Sequence, residues 1–121
     1  MTSEEKRAFL LLKSIIFHYH GLDEDEQKIL DDTAKRLDAY EELKWANQFI
    51  SEDYITAFER AREYLNETIG KYEKEKRLYY LDQVWKANNL KGYITEMEAT
   101  AMLKLAKDWA VEKDLIELVR K

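Results

Sequence analysis

The feature that most constrains this chain is an absence: its 121 residues contain no proline and only three glycines. Proline breaks helices most strongly, because it removes an N–H and clashes with the preceding turn, and glycine comes next. Ala, Leu, Glu, Lys and Arg are abundant, and no segment alternates convincingly with period two. Helix is therefore favoured nearly throughout. Gly21, Gly70 and Gly92 stand as the natural stops, since glycine ends a helix cheaply in the left-handed conformation.

Helix starts are read from capping boxes, in which an N-cap side chain and a Glu three residues on satisfy two orphaned N–H groups. Four candidates occur: Thr2 with Glu5, Asp23 with Glu26, Thr95 with Glu98, and Asp114 with Glu117. Ser51 reads as a plain N-cap, with Glu52 and Asp53 in its first turn. The predicted helices span about 3–19, 24–39, 41–49, 52–69, 71–88 and 96–111, with a last short one carrying Leu115, Ile116, Leu118 and Val119. The first is apolar nearly all round: Phe9, Leu12, Ile16 and Tyr19 form one stripe and Ala8, Leu11 and Ile15 the next. It is expected at the centre. Ile29, Leu30, Thr33, Ala34 and Leu37 face inward from the second helix, and Leu43, Ala46 and Phe49 from the third. Trp45 falls off the Leu43–Ala46–Phe49 stripe, and Ile55, Phe58, Ala61, Leu65 and Ile69 face inward from the fourth helix. The expected fold class is all-α, a compact single-domain bundle of six to seven helices over residues 1–121. Surface scaling for 14.5 kDa gives about 7,000 Å² folded against roughly 21,000 Å² unfolded, enough for one core.

Charge and composition exclude several classes. The 45% apolar and 12% aromatic content is that of a chain that collapses, not a disordered one. Zero cysteines remove disulfides, thiolate zinc sites, iron–sulfur clusters and Cys nucleophiles. The net charge is −5, concentrated between Asp23 and Glu42, where nine acids face three bases. An acidic domain repels phosphate backbones, so nucleic acid is not an expected partner. The N-terminal segment lacks the basic start and small-residue cleavage site of a signal peptide. No stretch approaches the ~20 apolar residues that span a bilayer. A cytoplasmic protein without an integral membrane segment is expected.

Two connections look alike: His-Gly-Leu-Asp-Glu-Asp-Glu at 20–26 and Lys-Gly-Tyr-Ile-Thr-Glu-Met-Glu at 91–98. With one residue inserted after the second Gly, Asp23 pairs with Thr95, Glu26 with Glu98, Leu30 with Met102, Ala34 with Ala106 and Leu37 with Trp109. Any two capped helical hairpins would share part of this pattern; a pseudo-repeat relating 8–40 and 80–111 is the other reading. These residues, each followed by an apolar helix, resemble the two halves of the TerB-like domain of tellurite-resistance proteins. The resemblance runs from about residue 5 to 119 and includes the Lys-Asp-Trp-Ala-Val-Glu-Lys-Asp-Leu-Ile run. It implies a bundle of about seven helices and a link to tellurite or membrane-stress resistance. The family usually places Asp before each Gly, where this chain has His20 and Lys91.

Candidate chemistry is sparse. Asp23, Glu24, Asp25 and Glu26 place four carboxylates together, and hard cations such as Ca²⁺ or Mg²⁺ take oxygen ligands. Acids in a first turn also serve the helix dipole, and that capping reading leads. If an ion binds, Asp23 and Glu26 are its ligands in the first half and Glu96 and Glu98 in the second. His18 and His20 lie on different helix faces; a His20 swung free could join Asp23 or Glu26. No nucleophile elbow, His-Glu-x-x-His, P-loop or dinucleotide fingerprint occurs, so no enzyme is expected. Tyr72, Arg77, Tyr79, Tyr80 and Trp85 give the fifth helix an aromatic and basic side. Tyr72, Arg77, Tyr80 and Trp45 are the candidate partner-binding residues, with core packing the competing reading. The leading expectation is a non-enzymatic TerB-like stress-associated module acting through protein contacts and a weakly held divalent ion. The alternative is a plain helical adaptor or homodimer using the fifth helix without an ion. A small-molecule pocket among Trp85, Trp109 and the first helix is the third.

Overall fold

A computed structural model describes residues 1–18, 22–90 and 93–120, with the backbone alone of Leu90. Tyr19, His20, Gly21, Lys91 and Gly92 lie outside the described residues, and with them the two Gly stops and the His20 reading. The chain is all-α: α1 (Ser3–His18), α2 (Glu24–Leu37), α3 (Tyr40–Ser51), α4 (Ala57–Glu67), a single 3₁₀ turn at Ile69–Lys71, α5 (Lys74–Leu90), α6 (Glu96–Asp108) and α7 (Glu112–Val119). No strand occurs among the described residues. The accessible surface is 7059 Å², matching the area expected from mass alone.

Helix α1 is the axis. Every residue from Ala8 to Phe17 is buried, and the helix packs against α2, α3, α4, α5 and α6. Burial extends to Lys13 and Ser14, which interrupt the apolar run in sequence. Lys13 Nζ donates to Thr33 Oγ1 at 2.7 Å, and the Thr33 hydroxyl donates to the Ile29 carbonyl at 2.8 Å. Burial, with Arg36 nearby, pushes the Lys13 ammonium down to about 8. At its start the helix is pinned by Glu5, whose carboxylate accepts from Lys76 Nζ at 3.0 Å and Tyr80 Oη at 2.9 Å. The Thr2 box is therefore half-formed. Its hydroxyl accepts the Glu5 N–H at 3.1 Å, while the Glu5 carboxylate is drawn across to α5.

The two halves share their punctuation. Both capping boxes at the starts of α2 and α6 are complete, on Asp23 with Glu26 and Thr95 with Glu98. Both helices end in the same way. Asp38 and Ala110 adopt the left-handed conformation (φ 51° and 58°), and the following N–H reaches back to the Ala34 and Ala106 carbonyls, at 2.8 and 2.9 Å. These are Schellman stops, with Asp and Ala where glycine usually sits. Ala39 and Val111 then start α3 and α7, their carbonyls accepting from Leu43 and Leu115 at 2.9 Å.

Two expected starts are overturned. The Schellman stop at Ala110 makes Val111 the N-cap of α7, so Asp114 lies within the helix and forms no capping box. Instead it meets Lys74 at 3.2 Å. Ser51 is the last residue of α3, not an N-cap; its hydroxyl donates back to the Gln48 carbonyl at 3.2 Å. Asp53 Oδ1 accepts the Ile55 N–H at 3.0 Å, an Asx turn that diverts the chain and delays α4 to Ala57. Arg60 laces this connection, donating to the Phe49 and Asp53 carbonyls at 2.8 Å each and to Thr56 Oγ1 at 2.9 Å. Gly70 is no left-handed stop either. It sits in the 3₁₀ turn, where a Cβ would come within 3.2 Å of Trp109 Cδ1.

Candidate functional site

The predicted ion ligands are placed by the two capping boxes. Asp23 Oδ1 accepts the Glu26 N–H at 2.8 Å, and Glu26 Oε1 accepts the Asp23 N–H at 3.1 Å. In the second half Thr95 Oγ1 accepts the Glu98 N–H at 3.1 Å, and Glu98 Oε1 accepts the Thr95 N–H at 3.1 Å and its hydroxyl at 2.9 Å. Glu26 and Glu98 are fully buried, whereas Glu24, Asp25 and Glu96 face solvent. Tyr93 Oη donates to Asp23 Oδ2 at 3.1 Å and so ties the second turn to the first cap. Among the described residues, no group of three or more His, Asp or Glu is placed to hold a metal. Ca²⁺ wants six to eight converging oxygens. The bonds described here run to backbone N–H groups and hydroxyls, as a capping role requires.

Of the predicted partner residues, Tyr80 is buried by the docking of α5 on α1, and Tyr72, Arg77 and Trp45 are half-buried. Tyr80 is 2% exposed, its ring 5.3 Å from that of Phe9 and its hydroxyl on Glu5; burial and that carboxylate raise its ionisation well above the usual tyrosine range. Tyr72 is half-buried under the Lys76 ammonium, 4.8 Å from its ring centroid. Arg77 donates to the Trp109 carbonyl. Trp45 is also half-buried, in a cluster with Phe49 and Tyr64, and Arg7 lies 5.5 Å over its ring. Of the aromatic side of α5, Tyr79 is the member that faces solvent. The Trp85–Trp109 pocket also differs from expectation. Trp109 is buried and donates from Nε1 to Asn66 Oδ1 at 2.8 Å. Trp85 instead lines a small apolar notch of about 120 Å³ with Met102, Leu103, Leu115 and Val119, and α1 takes no part in it.

A feature the sequence reading missed is a cleft of about 330 Å³. Its floor is Ile15 and His18 of α1, Ile50 of α3 and Ala57 and Phe58 of α4; its rim is Tyr54, Ile55, Glu59 and Met97. The Asx turn at Asp53 creates this rim by keeping Tyr54 and Ile55 out of the helix that would have turned Ile55 inward. Ile55 is 95% exposed, Tyr54 66% and Met97 49%. His18 lies 6.3 Å ring to ring from Tyr54, and its Nε2 is buried without a hydrogen-bond partner among the described residues; burial holds the imidazole below its ordinary pKa, favouring the neutral form. The signal that could have found the cleft is Asp53 two residues before Ile55, with β-branched Ile55 and Thr56 where a first helical turn would otherwise fall.

Comparison with models of protein families, with curated proteins and with solved structures finds no match to this chain. No helix among the described residues is long and apolar enough to cross a membrane.

Proposed function

We propose that this chain is a non-enzymatic protein-interaction module that receives its partner in the cleft between α1, the α3–α4 connection and the start of α6. The observation that carries the reading is the exposure of Ile55, a large aliphatic side chain 95% open to water, beside Tyr54 and Met97 around a concave floor of Ile15, His18, Ile50, Ala57 and Phe58. Single exposed apolar residues are ordinary, but a cluster rimming a cleft is what a contact surface needs. The Gly-apolar-cap turns, through their resemblance to the TerB-like domain, support a stress-associated setting of the tellurite-resistance kind. The reading needs no bound ion. Of the aromatic side chains at the fifth helix, Tyr79 is exposed and Tyr72 and Trp85 are half-buried, so the cleft offers the more open apolar surface.

A photo-crosslinking amino acid at position 55 of the full chain tests it. In cells of the source organism under stress, a discrete protein adduct is expected at position 55 and not at Lys113, an exposed residue of α7 remote in sequence from the cleft. No adduct at 55, or the same adducts at both positions, would overturn the reading.

A further inference from the structure

Two cations of this chain act on each other with no carboxylate to offset them. Lys13 is 5% exposed, and among the described residues its ammonium meets only the Thr33 hydroxyl at 2.7 Å and the Phe9 ring at 5.5 Å. The charge that bears on it is that of Arg36 on α2. Arg36 is exposed and, among the described residues, makes no ion pair or side-chain hydrogen bond, not even with Asp32 one turn before it. Buried charges are ordinarily paired, because an ion taken from water loses its hydration with nothing to replace it.

Phe9 and Arg36 also line a pocket of about 230 Å³, with Leu37, Tyr79, Tyr80 and Gln83 around them. Arg36 is the one charged side chain in that lining. The acids closest to it in the fold are engaged: Glu5 holds Lys76 at 3.0 Å and the Tyr80 hydroxyl at 2.9 Å, and Asp82 holds Lys86 at 3.0 Å. The rings of Phe9, Tyr80 and Tyr79 follow one another at 5.3 and 5.6 Å, so the apolar part of the wall is aromatic. We propose that this pocket binds a small aromatic carboxylate, its carboxyl group on the Arg36 guanidinium beside Gln83 and its ring against Tyr79 and Tyr80, with the buried Lys13 ammonium adding its charge from behind Phe9. One guanidinium fork satisfies a planar carboxylate, and the aromatic wall gives a flat body a surface to lie on. A phosphate dianion would find too few donors here for its oxygens. The pocket shares no lining residue with the cleft at Ile55, so either reading can fail without the other.

Phenylacetate is the probe, with phenylacetamide as its uncharged twin and acetate as its ringless one, each added to the full chain near neutral pH and followed by heteronuclear NMR. Phenylacetate should move the Gln83 amide signals and saturate at about millimolar concentration. Phenylacetamide and acetate should need about tenfold more or fail to saturate. Arg36→Gln, at an exposed position without a described partner, should weaken phenylacetate about tenfold and leave the melting curve unchanged. Lys13→Met should weaken it severalfold in a chain that stays folded. Equal response to phenylacetate and phenylacetamide, no response to phenylacetate, or binding indifferent to Arg36→Gln or to Lys13→Met would overturn the inference. So would displacement of phenylacetate by inorganic phosphate, which would make the occupant a phosphate.

Discussion

Lys13 carries an ammonium group into a layer where, among the described residues, it meets a hydroxyl and an aromatic face but no carboxylate: Thr33 Oγ1 at 2.7 Å and the Phe9 ring centroid at 5.5 Å. Its folded pKa falls from 10.5 to about 8, so between those values the unfolded chain binds the proton that the folded chain has released. Stability should therefore rise with pH through that window, by about 2–3 kcal/mol at its top. Urea midpoints taken from pH 7 to about 9.5, below ordinary tyrosine ionisation, will show the rise. Lys13→Met should be more stable than wild type at pH 7 and flat over the same range. A wild-type midpoint that does not move with pH would mean that the amine is solvated. The buried carboxylate of Glu26 belongs to a different case, because its described bonds close a cap. Glu26→Gln should cost about 0.5–1 kcal/mol, equally in chelator and in millimolar Ca²⁺ or Mg²⁺. A melting shift produced by one cation and lost in this variant would restore the ion.

At the scale of the helix, the paired stops make unequal demands. Asp tolerates the left-handed conformation far better than Ala, whose Cβ crowds the following carbonyl. Ala110→Gly should thus stabilise the chain by about 1 kcal/mol, and Asp38→Gly by clearly less; thermal melts of the two variants side by side decide it. The same stops explain what could and could not be read from sequence. The boxes at Asp23 and Thr95 were legible because a cap is settled by residues three apart. The ends at Asp38 and Ala110 were not, because without glycine the turn is imposed by the packing of Ala39 and Val111, both fully buried. Misplacing the second of them manufactured a false box at Asp114. Glu52 and Asp53 misled similarly: they look like first-turn acids, but Asp53 spends its side chain on the Ile55 N–H. Most of the core and the central place of α1 followed from periodicity. The cleft did not, because one side-chain hydrogen bond decides whether Ile55 lies inside or outside.

Across the whole molecule, α4, the 3₁₀ turn and α6 are joined by one connected set of contacts. Arg62 holds Asp108 in a bidentate pair, Asn66 donates to Asp108 at 3.2 Å, and the same Asn66 accepts the Trp109 indole N–H. The ring of Trp109 is thereby held against Gly70, 3.2 Å from where a Cβ would stand. Gly70→Ala should cost about 1–3 kcal/mol through overpacking, with a changed tryptophan emission as its sign. A neutral result in both would show that the indole can move. The inter-helix carboxylates set the acid limit. Arg62 lowers the pKa of Asp108, and Lys76, aided by Tyr80, lowers that of Glu5. Their contribution is whole above the ordinary carboxylate values and is lost as pH falls through the depressed ones, so acid unfolding should begin below about pH 4. Asp108→Asn should flatten that limb.

The central position of α1 also has a consequence in time. A ribosome makes this helix before any of the helices that cover it, and the residues that close around it from α5 and α6 follow some seventy to ninety positions later. At about 5–20 residues per second, the run from Ala8 to Phe17 waits on the order of ten seconds without its full cover. During that interval Lys13 and Ser14 break what would otherwise be ten unbroken apolar residues, so the same two side chains that are buried in the finished helix shorten the apolar run exposed while it waits.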